Sequence, residues 1–201
     1  MPVEPILWGI ALAATAGLRL FMPFLFLAVM ARYGGVPAPE ALQWAATDAG
    51  FLLLLVATLV EVLSDKIPVI DNALDMVATV LKPVAGFILP AALLYDASPL
   101  GAWTLGIIAG APLALGVHTT KAGTRALSST TTAGMGNPVL SFLEDALATV
   151  LLVLTVLAPF IAVLVVVVLA VFVVRAWRRM WRAVRRRPAQ AAGSADGSAR
   201  H

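Results

Sequence analysis

The chain contains no cysteine, which removes disulfide frameworks, thiolate metal sites and cysteine nucleophiles from consideration. Charge is scarce, at 12% of residues. Hydrophobic residues make up 61%, and the mean hydropathy is +0.95. That balance excludes an ordinary soluble domain. The sequence also lacks a Walker A loop, a G-x-S-x-G elbow, an H-E-x-x-H helix and a G-x-G-x-x-G turn, so the usual motif-borne chemistries have no foothold. No basic segment precedes the first apolar run, which opens with Glu4 and is interrupted by Arg19. A cleaved signal peptide is therefore not expected.

What is there reads as an all-α, polytopic membrane protein. About 20 apolar residues cross a bilayer at a rise of 1.5 Å each. By that measure spans are expected near residues 6–31, 48–64, 73–95 and 101–118. A further apolar run extends from Ala146 to Val174. As one helix it would be about 43 Å long, too long for one upright crossing. Pro159 disfavours helix at Ala158 and removes a donor, so two helices turning there are expected. The total is six spans, with five as the alternative. Residues 1–187 form a single helical domain with a basic juxtamembrane end, and the polar segment 188–201 is expected to be disordered.

Net charge hides an asymmetry. Residues 1–174 carry six Lys/Arg against ten Asp/Glu, whereas 175–201 carry eight Arg against one Asp. With the arginines Arg175, Arg178, Arg179, Arg182, Arg185, Arg186 and Arg187 on the cytoplasmic side, six spans place both termini and the loops 65–72 and 119–138 there too. Trp177 and Trp181 suit interface height, and the arginines suit anionic lipid headgroups rather than nucleic acid. A weak internal repeat is also legible. Residues 68–81 (PVIDNALDMVATVL) and 138–151 (PVLSFLEDALATVL) agree at seven of fourteen positions, and Ala16–Arg19 echoes Ala122–Arg125. Duplication is one route to a transporter fold; shared composition is the competing account.

The informative residues are the charges placed in or beside apolar runs, because a charge at bilayer depth costs roughly 2.5–3.5 kcal/mol even on lenient scales. Glu61 and Asp65 share one helix face, as do Asp71 and Asp75. Two carboxylates at a helix C-terminus oppose its dipole and call for a cation or a proton. Asp71 or Asn72 suits an N-cap, with Lys66 and Lys82 as local partners. Ser141-x-x-Glu144 reads as a capping box, which leaves the neighbouring Asp145 unexplained. His118, Lys121 and Arg125 form a cationic face if their helix continues, and are expected to meet the acidic clusters. The hydroxyl-rich stretch 128–138, with Asn137 at its end, reads as a re-entrant loop or a solvated turn. Arg19 needs a buried anion such as Glu61 or Asp145, or an anionic headgroup, and Pro23, which frees the carbonyl of residue 19, is a point where the helix can break. Asp65 and Asp145, each beside a second carboxylate, are expected to titrate above the ordinary range unless a cation lies close.

The phrases AGLRLFMP (16–23), EVLSDKIPVIDNALD (61–75), KPVAG (82–86), HTTKAGTRALS (118–128) and NPVLSFLEDALA (137–148) together resemble a bacterial integral-membrane family catalogued as domain of unknown function 4126, over roughly residues 8–165. The resemblance implies a small multi-pass protein of the bacterial cytoplasmic membrane and carries no activity with it. It marks Arg19, Glu61, Asp65, Lys66, Asp71, Asp75, Lys82, His118, Lys121, Arg125, Asn137, Ser141, Glu144 and Asp145 as motif positions. A Ser/Thr run stands where such family loops often have a proline-containing turn after the Arg125 position. These residues, apart from Lys82, are the candidate substrate- or ion-binding set. No catalytic residue, resident metal or cofactor is indicated. The expected function is a transporter, channel or lipid-handling protein with a polar intramembrane site. The alternative is a non-catalytic membrane scaffold or assembly factor, and a metal-dependent hydrolase using His118 with three carboxylates ranks third.

Overall fold

A computed structural model describes residues 3–172, 174, 175 and 178, with the backbone path alone for 68–75. Regular structure among the described residues is helical, as expected. In order it comprises α1 (Val3–Leu18), α2 (Met22–Tyr33), a 3-10 turn (Glu40–Ala46), α3 (Asp48–Ser64), α4 (Pro68–Leu94), α5 (Pro99–Leu105), a π-helical turn (Gly106–Gly110), α6 (Ala111–Thr132), α7 (Asn137–Leu157) and α8 (Pro159–Phe172). Three stretches are long and apolar enough to cross a membrane: Met76–Leu94, Pro99–Thr132 and Asn137–Leu157. The 3-10 turn and α3 add a fourth if they are taken as one span bent by 79°. The expected six are not reached by length, because α1, α2 and α8 are apolar but short.

The first expected span, 6–31, is divided. The chain leaves the helix at Arg19 and restarts at Met22, with Pro23 in the first turn of α2, where its missing N–H is no loss. The Trp8 and Phe26 rings lie 6.2 Å apart, whereas eighteen residues of straight helix would part them by about 27 Å. The chain therefore doubles back into a helical hairpin whose tip is residues 19–21. At its open end Glu4, Trp8, Met30 and Leu93 line a cavity of about 250 Å³.

α1 is the centre of the bundle. Ala11, Leu12, Ala13, Ala14 and Ala16 are all at most 1% exposed, the pattern of a helix buried on every side. Small residues make this possible. A Cβ at Gly17 would fall 2.6 Å from the Ala114 carbonyl oxygen, and one at Gly9 would fall 2.7 Å from Pro90 Cβ. α4 and α6 cross where Gly86 meets Gly110, at a separation that leaves no room for a side chain. Such crossings substitute for a hydrophobic drive that is absent between helices in lipid. Outward faces are apolar, as with Leu52, Leu53, Val56, Val153, Leu164 and Val168.

Two further expectations change. α5, the π turn and α6 form one helical stretch, so most of the expected loop 119–138 is helix, and of the hydroxyl-rich stretch 128–138 only residues 133–136 form a partly exposed turn. Helix persists to Thr132 and ends at the left-handed Ala133 and Gly134. It persists because Thr131 and Thr132 donate their hydroxyls to the carbonyls of Leu127 and Ser128, at 2.9 and 2.7 Å, turning helix-competing groups back onto their own helix. The break at Ala158 falls where Pro159 predicts it. Beyond it, Val165, Val166 and Leu169 of α8 join a buried cluster with Ala14, Leu18, Val117, Ala148 and Leu151. Both copies of the repeated segment open a helix with proline in its first turn. The Trp/Arg segment beyond Arg178 and the polar segment 188–201 lie outside the described residues.

Two glycines in one helical stretch should respond oppositely. Gly110→Val places its Cβ 2.1 Å from the Gly86 carbonyl oxygen and should abolish the monodisperse, thermally cooperative species in detergent. Gly116→Ala meets open space and should raise stability by up to about 1 kcal/mol.

Candidate functional site

Breaking a helix exposes backbone groups that must find partners inside an apolar bundle. At the hairpin tip they find charged ones. The Glu61 carboxylate accepts from the Leu20 and Phe21 N–H groups, at 2.6 and 3.1 Å, where the start of α2 carries positive dipole charge. Lys82 donates to the Leu18 carbonyl at 3.2 Å, where the end of α1 carries negative charge. The two open ends are thus each met by a side chain of opposite sign.

Between them sits Arg19, 0% exposed. Its Nη1 donates to Asp65 Oδ2, and its Nη2 donates to Ser141 Oγ at 3.2 Å. Nη2 also lies 2.6 Å from Asp145 Oδ1, an ion pair whose angle is off-line for a hydrogen bond. Asp65 Oδ2 accepts in addition from Lys121 Nζ at 2.8 Å and Arg125 Nη2 at 2.9 Å. The same two cations reach Glu144 Oε2, at 3.2 and 2.9 Å. Lys66 stands at the rim, 3.4 Å from Asp145 Oδ2 and over the Phe142 ring. Four elements are joined in this way: the hairpin tip, the end of α3, the middle of α6 and the start of α7.

The expected approach of the acidic cluster 61–75 to the basic face 118–125 is therefore present, through Asp65 with Lys121 and Arg125. The α6 helix continues, so Lys121 and Arg125 do share a face. His118 faces α4, its Nε2 3.1 Å from Thr79 Oγ1. Among the described residues no three metal-ligating side chains meet. Asn137 lies apart from the network, donating to Ser129 Oγ at 3.0 Å. The side chains of Asp71 and Asp75 lie outside the described residues.

Two capping expectations are corrected. α7 begins at Asn137, with Pro138 in its first turn and no side-chain cap. Ser141 thus lies a turn inside the helix and binds Arg19 rather than forming a capping box with Glu144. α4 begins at Pro68 with Ile67 at its N-cap, so neither Asp71 nor Asn72 caps it. Sequence reasoning missed the main-chain members of the site, the Leu18 carbonyl and the Leu20 and Phe21 N–H groups. Pro23 marked where the helix can break, but not which side chains would meet the freed groups.

Residues 6–179 match the family described as Domain of unknown function (DUF4126). The chain belongs to this family. No curated protein and no solved structure matches it.

In this DUF4126 protein Asp65 follows the last residue of α3. Burial alone would raise its pKa, but Lys121, Arg19 and Arg125 outweigh burial and hold the carboxyl well below the usual carboxylate range. The expectation of a high-titrating Asp65 is reversed by the cations it meets.

Asp65→Asn leaves three buried cations facing a neutral amide, and should cost about 3–5 kcal/mol by thermal or denaturant unfolding in detergent. Lys66→Met, at a half-open rim, should cost no more than about 1 kcal/mol. Because the Asp65 pKa is lowered on folding, its contribution is present above the ordinary carboxylate pKa and fades as pH falls. Wild-type stability should hold from about pH 8 to 5 and decline below about pH 4, and Asp65→Asn should flatten that decline.

Proposed function

We propose that this protein is a small transporter or lipid-handling protein of the bacterial cytoplasmic membrane, with its polar site at the tip of the α1–α2 hairpin. The observation that supports the reading is the broken helix. Non-helical backbone is tolerated at membrane depth where protein covers it or a cavity is lined by it. Half-helix ends that point into a bundle, set among opposed charges, are how substrate and coupling-ion sites are built in many transporters. Here the tip meets such charges, and the residues that form it come from both copies of the weak repeat: Arg19 and Arg125 from one motif, Asp145 from the other. The packed state of the network favours alternating access over an open channel. Six short or broken spans with both termini in the cytoplasm fit this reading and the distribution of Lys and Arg.

The alternative, a scaffold whose charges lock helices together, is favoured by one observation. Arg19, Lys66, Lys121 and Arg125 each meet a carboxylate.

The two readings separate on reconstitution into proteoliposomes. Uptake is assayed with a panel of radiolabelled inorganic ions, and lipid movement with headgroup-labelled phospholipids. Transport predicts at least about tenfold loss of flux in Arg125→Gln while helicity by circular dichroism is retained, since one lost charge-assisted contact is worth more than 1.4 kcal/mol. Variants that lower the melting temperature, with no flux in wild type for any member of the panel, would decide for the scaffold. A reporter fused to the C-terminus should be active only on the cytoplasmic side.

A further inference from the structure

We infer that Glu61 and Asp65 occupy, in this structure, a site built for a phosphate-bearing ligand. The inference deepens the transport reading by naming a substrate class, and rests on that reading only for the site's use.

Five donors converge on two carboxylates one helical turn apart. Asp65 Oδ2 alone receives Arg19, Lys121 and Arg125, and Glu61 receives the Leu20 and Phe21 N–H groups. Two guanidinium forks, an ammonium and paired backbone N–H groups at a helix start are the donor set that recognises a phosphate. One carboxylate oxygen cannot serve three cations as well as the separate oxygens of a phosphate can. A further donor is idle: Arg19 Nε, fully buried, has no hydrogen-bond partner.

The carboxylates that fill this set both come from the end of α3, and α3 is a peripheral helix, packed inward through Leu54 against Ala28 and Ala45. Of its 17 residues only Gly50, Leu54, Thr58 and Ser64 are buried. Leu52, Leu53, Val56, Leu59, Val60 and Leu63 are all about half exposed or more, as suits a lipid face. The donors instead belong to the central hairpin and to α6. Outward movement of α3 would withdraw both carboxylates together and open the five donors to an incoming dianion, with Glu144 and Asp145 of α7 still paired to Lys121, Arg125 and Arg19. α3 is thus an internal competitor for the ligand.

The test uses full-length protein in detergent and in nanodiscs. Glu61→Gln keeps an oxygen for one N–H but removes a competing charge. Inorganic phosphate should raise its melting temperature more than that of wild type, and Arg125→Gln should lose the response, with sodium chloride of equal ionic strength as the control. Because the chain has no cysteine, Ser64→Cys reports α3 directly. Phosphate should speed its maleimide labelling severalfold. If neither free phosphate nor phosphatidic acid changes melting or Ser64→Cys labelling, the inference fails; if Glu61→Gln does not fold, the labelling decides alone. Nanodiscs containing phosphatidic acid, compared with phosphatidylcholine, separate the sources. Acceleration by phosphatidic acid alone assigns a lipid headgroup, and acceleration by free phosphate assigns a soluble ligand. Phosphate binding without flux defeats transport and leaves this site standing. Flux of cations without any phosphate response defeats this site and leaves transport standing.

Discussion

A guanidinium with no access to water needs opposite charge close to it, and Arg19 is that group. The cost of moving an ion into an apolar interior is several kcal/mol, recovered only when opposite charge and hydrogen bonds lie in good geometry. Arg19 can be tolerated at the hairpin tip because Asp65, Ser141 and Asp145 are brought to it from two other helices. Each of those then needs its own partners, and Lys121, Arg125, Glu144 and Lys66 follow. The positions of α3, α6 and α7 relative to α1 are in this sense consequences of one buried cation.

That requirement is met without loosening the bundle, because the apolar and polar parts divide the work. On the open side of the hairpin the contacts are made by alanine and glycine, which let α1 run against α4 and α6 at backbone distance. Those contacts are short-range and sensitive to volume. On the tip side the contacts are electrostatic and longer in reach. Glu61 and Lys82 close the circuit between the two parts, since each satisfies a backbone group that the helix break released. Removal of the break would make both of these charges redundant, and removal of the charges would make the break costly.

The outer helices carry a different character. α3 and α8 present leucine, valine and phenylalanine outward, a surface stable in lipid and liable to associate in water. α3 packs Leu54 against Ala28 and Ala45 and, at its far end, brings Glu61 and the adjoining Asp65 to the charged centre. Its position is thus set by apolar packing and ion pairs together.

Read residue by residue, the sequence determined much of this. Composition alone decides the helical, membrane-dwelling class. The expense of charge at bilayer depth singles out Arg19, Glu61, Asp65, Lys121, Arg125, Glu144 and Asp145, and their opposite signs predict that they meet. Pro159 predicts its break because a missing N–H acts locally. The rest was beyond local reasoning. That the first apolar run folds back at Arg19 depends on the Trp8–Phe26 contact, which no periodicity encodes. The Ser/Thr run stays helical because its hydroxyls bond their own backbone, a choice that composition leaves open. Ser141 carried a valid capping signature, yet Pro138 started α7 a turn earlier and Arg19 took the hydroxyl. Only tertiary structure chose the partners, because pairing energy depends on distance and burial, and both are properties of how helices distant in sequence come to lie together.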